Sequence, residues 1–229
     1  MGGRFRRDKA AQRVRRLSPA MARPARLTEE VIESYFSLGL WQRRTVSDYW
    51  DQNAILKPDD IAVADGDRRL SWAEAKLWTD RTALALIHLG LRRDELVVIQ
   101  LPNCVELPLL RVACEKAGVL CLPVSPTLRH SEMRHCLRHT EASGVVVPAQ
   151  YRSFNYAEMA RELQGELPHL RHVLVLGEDV PPEALSLREL AGYAWEEKLS
   201  LQTLKARKYR ADEVSLINST TGSTGPPKF

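Results

Sequence analysis

Leu96-Val97-Val98-Ile99-Gln100-Leu101-Pro102, then a helical stretch from about Val105 to Lys116, then Gly118 and Val119-Leu120-Cys121-Leu122-Pro123 form the segment on which the fold turns. Both strand-like runs are almost wholly apolar, the pattern of strands buried on two faces rather than one. A proline closes each run, since proline has no N–H to give a continuing ladder. Strand, helix and strand joined by short links make the βαβ unit of a parallel sheet. The unit recurs downstream as a helix from Ser131 to His139, a strand Val145-Val146-Val147, a helix near Tyr156 to Leu163 and a strand Val173-Leu174-Val175-Leu176. The expected class is α/β, with layered βαβ units on a mainly parallel sheet.

Upstream, Thr28 is placed to cap a helix whose apolar face is Val31, Ile32, Tyr35 and Phe36, and Gly39 stops it. Ile61-Ala62-Val63 and Leu70 flank Asp65-Gly66-Asp67, which reads as a hairpin turn. Ser71 and Glu74 have the three-residue spacing of a capping box, so a helix starts there and runs through Leu77, Leu84 and Ile87 to Gly90. Downstream, Pro181 to Arg210 is mixed and charged, with one helix expected around Leu187 to Leu199. Val214-Ser215-Leu216-Ile217 then reads as a short strand delivering the chain into Asn218-Ser219-Thr220-Thr221-Gly222-Ser223-Thr224-Gly225-Pro226-Pro227-Lys228-Phe229.

Composition excludes several classes. With 229 residues, 44% hydrophobic and 27% charged, and only 12 Gly and 13 Pro, the chain is neither a disordered tract, a collagen-like repeat nor a coiled-coil rod. The net charge of +4 is unevenly spread. Residues 1–26 hold nine Arg and Lys against one acid, Asp8, leaving 24 basic and 28 acidic residues, a net of −4, for the rest. The basic character therefore belongs to a tail, and no specific nucleic-acid partner is expected. That tail is either disordered or a start assigned too early, with Met21 as the true one. Cys104, Cys114, Cys121 and Cys136 show no CxxC spacing and no secretory apolar run precedes them, which fits a reducing, cytoplasmic setting. No run of about 18 apolar residues occurs, so no membrane span is expected. The expected divisions are 1–26 as tail, 27–211 as an N-terminal α/β subdomain, and 212–229 as a strand and loop opening a second, truncated subdomain.

Chemistry concentrates at the end of the chain. From Thr220 to Gly225 no side chain exceeds threonine in size, so backbone N–H groups can approach a ligand closely. Gly222 and Gly225 permit the positive φ angles that turn successive N–H groups to one side, making an anion-binding concavity. Ser223 and Thr224 add hydroxyl donors. Pro226 and Pro227 stiffen the exit, and the Lys228 ammonium can neutralise phosphate charge. The adjacent Gly-Lys-Ser/Thr of the Walker A loop is absent, so this is a different device. His130, His135, Cys136 and His139 have a superficially metal-like grouping, but no second cluster completes a tetrahedral set and arginines interleave with them. We read them as an exposed helix face and expect no metal there.

Residues 220 to 228 resemble, throughout, the Thr-Ser-Gly-Thr-Thr-Gly-x-Pro-Lys phosphate loop of the adenylate-forming enzymes: acyl-CoA synthetases, aryl-acid AMP ligases, luciferases and peptide adenylation domains. The resemblance extends back to Leu27. Asp65-Gly66 with Leu70-Ser71-Trp72-Ala73-Glu74, Leu101-Pro102-Asn103, and Gly118 through Pro123 to Ser125-Pro126 look like family features in order, and Tyr35-Phe36-Ser37-Leu38-Gly39-Leu40-Trp41 resembles the start of dihydroxybenzoate-AMP ligases. Phe229 stands where many members have Gly and some aryl-acid ligases a bulky apolar residue, a pointer toward aryl acids at a position that also tolerates either.

The resemblance implies the N-terminal portion of that fold, truncated after the phosphate loop, from a two-step ligase. A carboxylic acid and ATP give an acyl-adenylate and pyrophosphate, and the acyl group passes to a thiol of coenzyme A or of carrier-protein pantetheine. It implies Thr220, Thr221, Ser223 and Thr224 as phosphate donors, Gly222 and Gly225 for backbone approach, and Lys228 for charge. It places the Mg2+ ligand, the adenine pocket and the principal catalytic lysine downstream, so the chain alone is expected to be inactive. The alternative from another class is a non-catalytic binding or scaffold fragment.

Overall fold

A computed structural model of the chain describes residues 27–66 and 68–219. The basic tail, Asp67 of the expected turn, and the expected phosphate loop from Thr220 to Phe229 lie outside the described residues. Two helices come first, α1 (Glu29–Ser37) and α2 (Val46–Leu56), followed by the hairpin β1 (Ile61–Asp65) and β2 (Arg68–Ser71) and the long α3 (Trp72–His88). Then β3 (Leu96–Ile99), α4 (Glu106–Ala117), β4 (Leu120–Pro123), α5 (His130–Thr140) and β5 (Gly144–Pro148) alternate. A small hairpin, β6 (Gln150–Tyr151) with β7 (Phe154–Asn155), precedes α6 (Tyr156–Glu166), β8 (His172–Leu176), β9 (Leu185–Ser186), α7 (Leu187–Gly192), a 3-10 turn Trp195–Glu197 and α8 (Gln202–Arg207).

The helix starts are local in origin. Thr28 Oγ1 accepts from the Val31 N–H, and Ser71 with Glu74 forms the expected reciprocal box. A second box, Thr45 with Asp48, starts α2, which the sequence reading did not single out. At the far end of α4, Gly118 takes the left-handed conformation at φ 67° and closes the helix.

Five strands pair in the order β4-β3-β5-β8-β9, every pairing parallel. Alternate residues face opposite cores. Leu96, Val98, Leu120, Leu122, Val145, Val147, Val173 and Val175 pack with α5 and α6. Val97, Ile99, Cys121, Val146 and Leu174 pack with α3, α4, α7 and α8. Helices thus cover both faces, as an all-parallel sheet requires.

Two expectations change in detail. The single helix around Leu187 to Leu199 is interrupted: α7 ends at Gly192, and Trp195 turns inward, its ring centroid 4.5 Å from that of His88 and its Nε1–H donating to the Leu190 carbonyl at 2.8 Å. Burying that indole against α3 outweighs continuing a helix. The segment Val214–Ile217 forms one parallel bridge, Leu216 with Cys121, rather than a full strand.

Candidate functional site

Although brief, that bridge sets where the chain goes next. The Cys121 N–H donates to the Ser215 carbonyl at 3.3 Å and the Ile217 N–H donates to the Cys121 carbonyl at 2.9 Å. The segment therefore runs beside β4, parallel to it, on the outer edge of the sheet. Parallel attachment means that it leaves at the carboxyl end of the strands, where open α/β sheets bind ligands. Strand order reverses between β3 and β5, so the crevice of such a sheet opens on that same end.

The neighbouring loop is tightly braced. The Gln100 side-chain amide, wholly buried just past β3, donates to the Ser125 and Leu128 carbonyls at 3.2 and 2.9 Å. Arg129 donates to the Pro126 and Leu128 carbonyls and to the Tyr156 hydroxyl at 2.9, 3.0 and 2.9 Å, with its guanidinium 4.4 Å from the Phe154 ring centroid. Tyr156 in turn donates to the Pro126 carbonyl. At the tip the exposed hydroxyls of Ser125 and Thr127 lie 2.7 Å apart. The arrangement is a rigid rim carrying hydroxyl groups beside the departing strand, suited to polar ligands.

On the other side of the stem, Arg111 of α4 donates to Ser215 Oγ at 2.9 Å and to Glu115 at 3.2 Å. Sequence reading passed over Arg111, Glu115, Gln100 and Arg129. The available signal was an arginine and a glutamate four apart in the middle of α4, a spacing that puts both on one face.

Of the site residues expected from sequence, Thr220, Thr221, Gly222, Ser223, Thr224, Gly225 and Lys228 all lie outside the described residues. Of the expected exposed helix face, the three histidines are partly or fully exposed, but Cys136 points into the core. His130 contacts Glu162 at 2.9 Å, and His135 and His139 stack with centroids 5.7 Å apart. Among the described residues no group of three or more His, Cys, Asp or Glu side chains could hold a metal ion, and no step below passes through one. Nor is there an activated thiol among the cysteines with shifted acidity. Burial and the nearby Glu106 charge push Cys104 up to about 11, and burial pushes Cys136 up to about 12. Cys114 is raised by its Cys121 neighbour and by burial. No described helix is long and apolar enough to cross a membrane.

The family described as AMP-binding enzyme matches residues 50–229. The chain belongs to that family. Among its curated relatives, this AMP-binding enzyme chain is 33% identical over 214 residues to the 2-hydroxy-7-methoxy-5-methyl-1-naphthoate–CoA ligase of Streptomyces carzinostaticus, covering 93% of this chain and 38% of that ligase. It is 30% identical over 201 residues to the 2,3-dihydroxybenzoate-AMP ligase of Bacillus subtilis, covering 88% of this chain and 35% of that one. Among solved structures, apo MbtA of Mycobacterium smegmatis superposes with a TM-score of 0.72 at 29% identity, over 88% of this chain and 36% of MbtA. The AMP-binding chain therefore has the N-terminal part of the adenylate-forming enzyme fold and spans little more than a third of the length of the relatives it matches.

Proposed function

We propose that the chain supplies the N-terminal α/β layers and the triphosphate-binding loop of an ATP-dependent ligase for aryl carboxylic acids. The observation that supports the reading is the parallel bridge at Leu216, which runs the described end of the chain toward the carboxyl end of the sheet. Aromatic acid names on the two relatives support the substrate class. In this reading the acid carboxylate attacks the α-phosphorus of ATP, forming the acyl-adenylate as pyrophosphate leaves with the electrons of the broken phosphoanhydride bond. A thiol, of coenzyme A or of carrier-protein pantetheine, then displaces AMP.

The chain's own part is electrostatic. As pyrophosphate leaves, negative charge grows on the β and γ phosphates. In this reading the hydroxyls of Thr220, Thr221, Ser223 and Thr224 and the Lys228 ammonium supply donors to that charge, and donors that need not reorganise stabilise it most. Gly222 and Gly225 let the backbone approach. Removing one such donor costs about 3 kcal/mol, roughly a hundredfold in rate.

The test is acid-dependent ATP–pyrophosphate exchange by the product of the whole reading frame containing this chain, with salicylate, 2,3-dihydroxybenzoate and a medium-chain fatty acid compared. Exchange with the aryl acids, lowered about a hundredfold by Lys228→Ala, is expected. Full exchange in the Lys228→Ala variant would overturn the loop assignment. Preference for the fatty acid would overturn the substrate class.

A further inference from the structure

Two backbone hydrogen bonds are few for a strand that must aim a ligand loop, because short edge segments open readily. A side-chain relay supplements them. Arg111 donates through one Nη to Glu115 Oε2 at 3.2 Å and through the other to Ser215 Oγ at 2.9 Å. Glu115, 2% exposed, uses its second oxygen to accept the Ser47 backbone N–H at 2.7 Å, and its own backbone carbonyl accepts the Tyr209 N–H at 3.2 Å. Both carboxylate oxygens are therefore engaged. Burying a carboxylate costs solvation that a leucine at the same place would avoid. Apolar packing, however, has no direction, whereas a planar guanidinium held by a carboxylate fixes its second partner in place. The relay runs from the start of α2 through α4 to the stem.

We infer that Arg111 is a positioning residue for nucleotide binding: clamped by Glu115, it holds Ser215 and so sets the direction in which the chain leaves the sheet toward residue 220. The inference rests on the phosphate-loop reading proposed above. Both Arg111 Nη groups are engaged, by Glu115 and Ser215, so its loss should act through Ser215, loosening ATP binding while leaving recognition of the acid alone.

The experiment uses the product of the whole reading frame carrying Arg111→Met, Arg111→Lys, Ser215→Ala or Lys228→Ala. By hydrogen exchange, the Cys121 and Ile217 amides should exchange about tenfold faster in Arg111→Met, the size of effect that losing one charge-assisted hydrogen bond gives, while β5 amides keep their rates. KM for ATP should rise by about the same factor with KM for the acid unchanged, and Arg111→Lys should recover part of the loss. Ser215→Ala removes only a hydroxyl, and should reproduce the direction of both effects if Arg111→Met fails to fold. Because the two residues act in series, the double variant should resemble Arg111→Met. Unchanged exchange at Ile217, or equal acceleration in every strand, would overturn the positioning role. Loss of adenylation in Lys228→Ala together with an unmoved KM for ATP in Arg111→Met would overturn it alone. Full activity in Lys228→Ala would instead overturn the loop reading.

Discussion

Gly118 and Gly39 share nearly the same left-handed backbone, at φ 67° and 69°, yet their surroundings differ completely. A Cβ on Gly118 would stand 2.4 Å from the Arg207 carbonyl oxygen, whereas one on Gly39 would meet nothing within 4 Å. Gly39→Ala should cost only the conformational strain, about 1 kcal/mol, and Gly118→Ala about 3 kcal/mol or more, because the connection after α8 must also move. Urea midpoints of the two variants check this; equal shifts would contradict it. Glu95 offers a second residue-scale test. Burial works to raise its pKa, but donors from the Arg171 guanidinium and from the Arg92 backbone and guanidinium outweigh it and hold the carboxyl at about 2. A folded-state value below the ordinary 4.5 means the stabilisation is complete above about pH 4.5 and drains away as pH falls toward 2. The melting-temperature gap between the wild type and Glu95→Gln should therefore be widest near neutrality and close across that acidic window. A gap independent of pH would count against it.

Elements are joined by charge as well as by apolar contact. Lys116 of α4 is 2% exposed and reaches Asp80 of α3 at 2.6 Å and Asp51 of α2, while Lys76 meets the same two carboxylates from a half-exposed position. Three helices are thereby pinned at one point. Lys116→Met leaves two carboxylates, Asp80 among them nearly buried, to share the half-exposed Lys76 alone, and should cost about 3 kcal/mol. Lys76→Met, with its ammonium already partly in water, should cost about 1 kcal/mol or less. Chemical denaturation separates them, and equal losses would show that burial does not govern the pair. The junction of Asp51, Asp80 and Lys116 was not legible beforehand, because the three are far apart in sequence and each alone reads as a surface charge. Helix α2 escaped notice for a related reason: Ser47 is its one fully buried residue, so its apolar face is indistinct. Ser71 with Glu74 announced α3 because the apolar positions Leu77, Leu84 and Ile87 follow that cap, whereas the equivalent Thr45–Asp48 cap of α2 has no such face behind it.

For the molecule as a whole, the isolated 229-residue chain is expected to give no acid-dependent pyrophosphate exchange, since it spans little more than a third of the relatives it matches. Measurable exchange by this chain alone would contradict that. The amino-acid sequence by itself determined the parallel α/β class, the buried strands and most helix limits, because apolar runs, caps and glycine stops act between near neighbours. It also carried the small-residue loop and Lys228. Tertiary structure alone decided the strand order, the inward turn of Trp195, the edge position of Leu216 beside Cys121 and the junction of Arg111 with Ser215. That last contact spans 104 positions. Side chains so distant in the chain exert no mutual pattern on their local sequence, so only the closed sheet could bring them together.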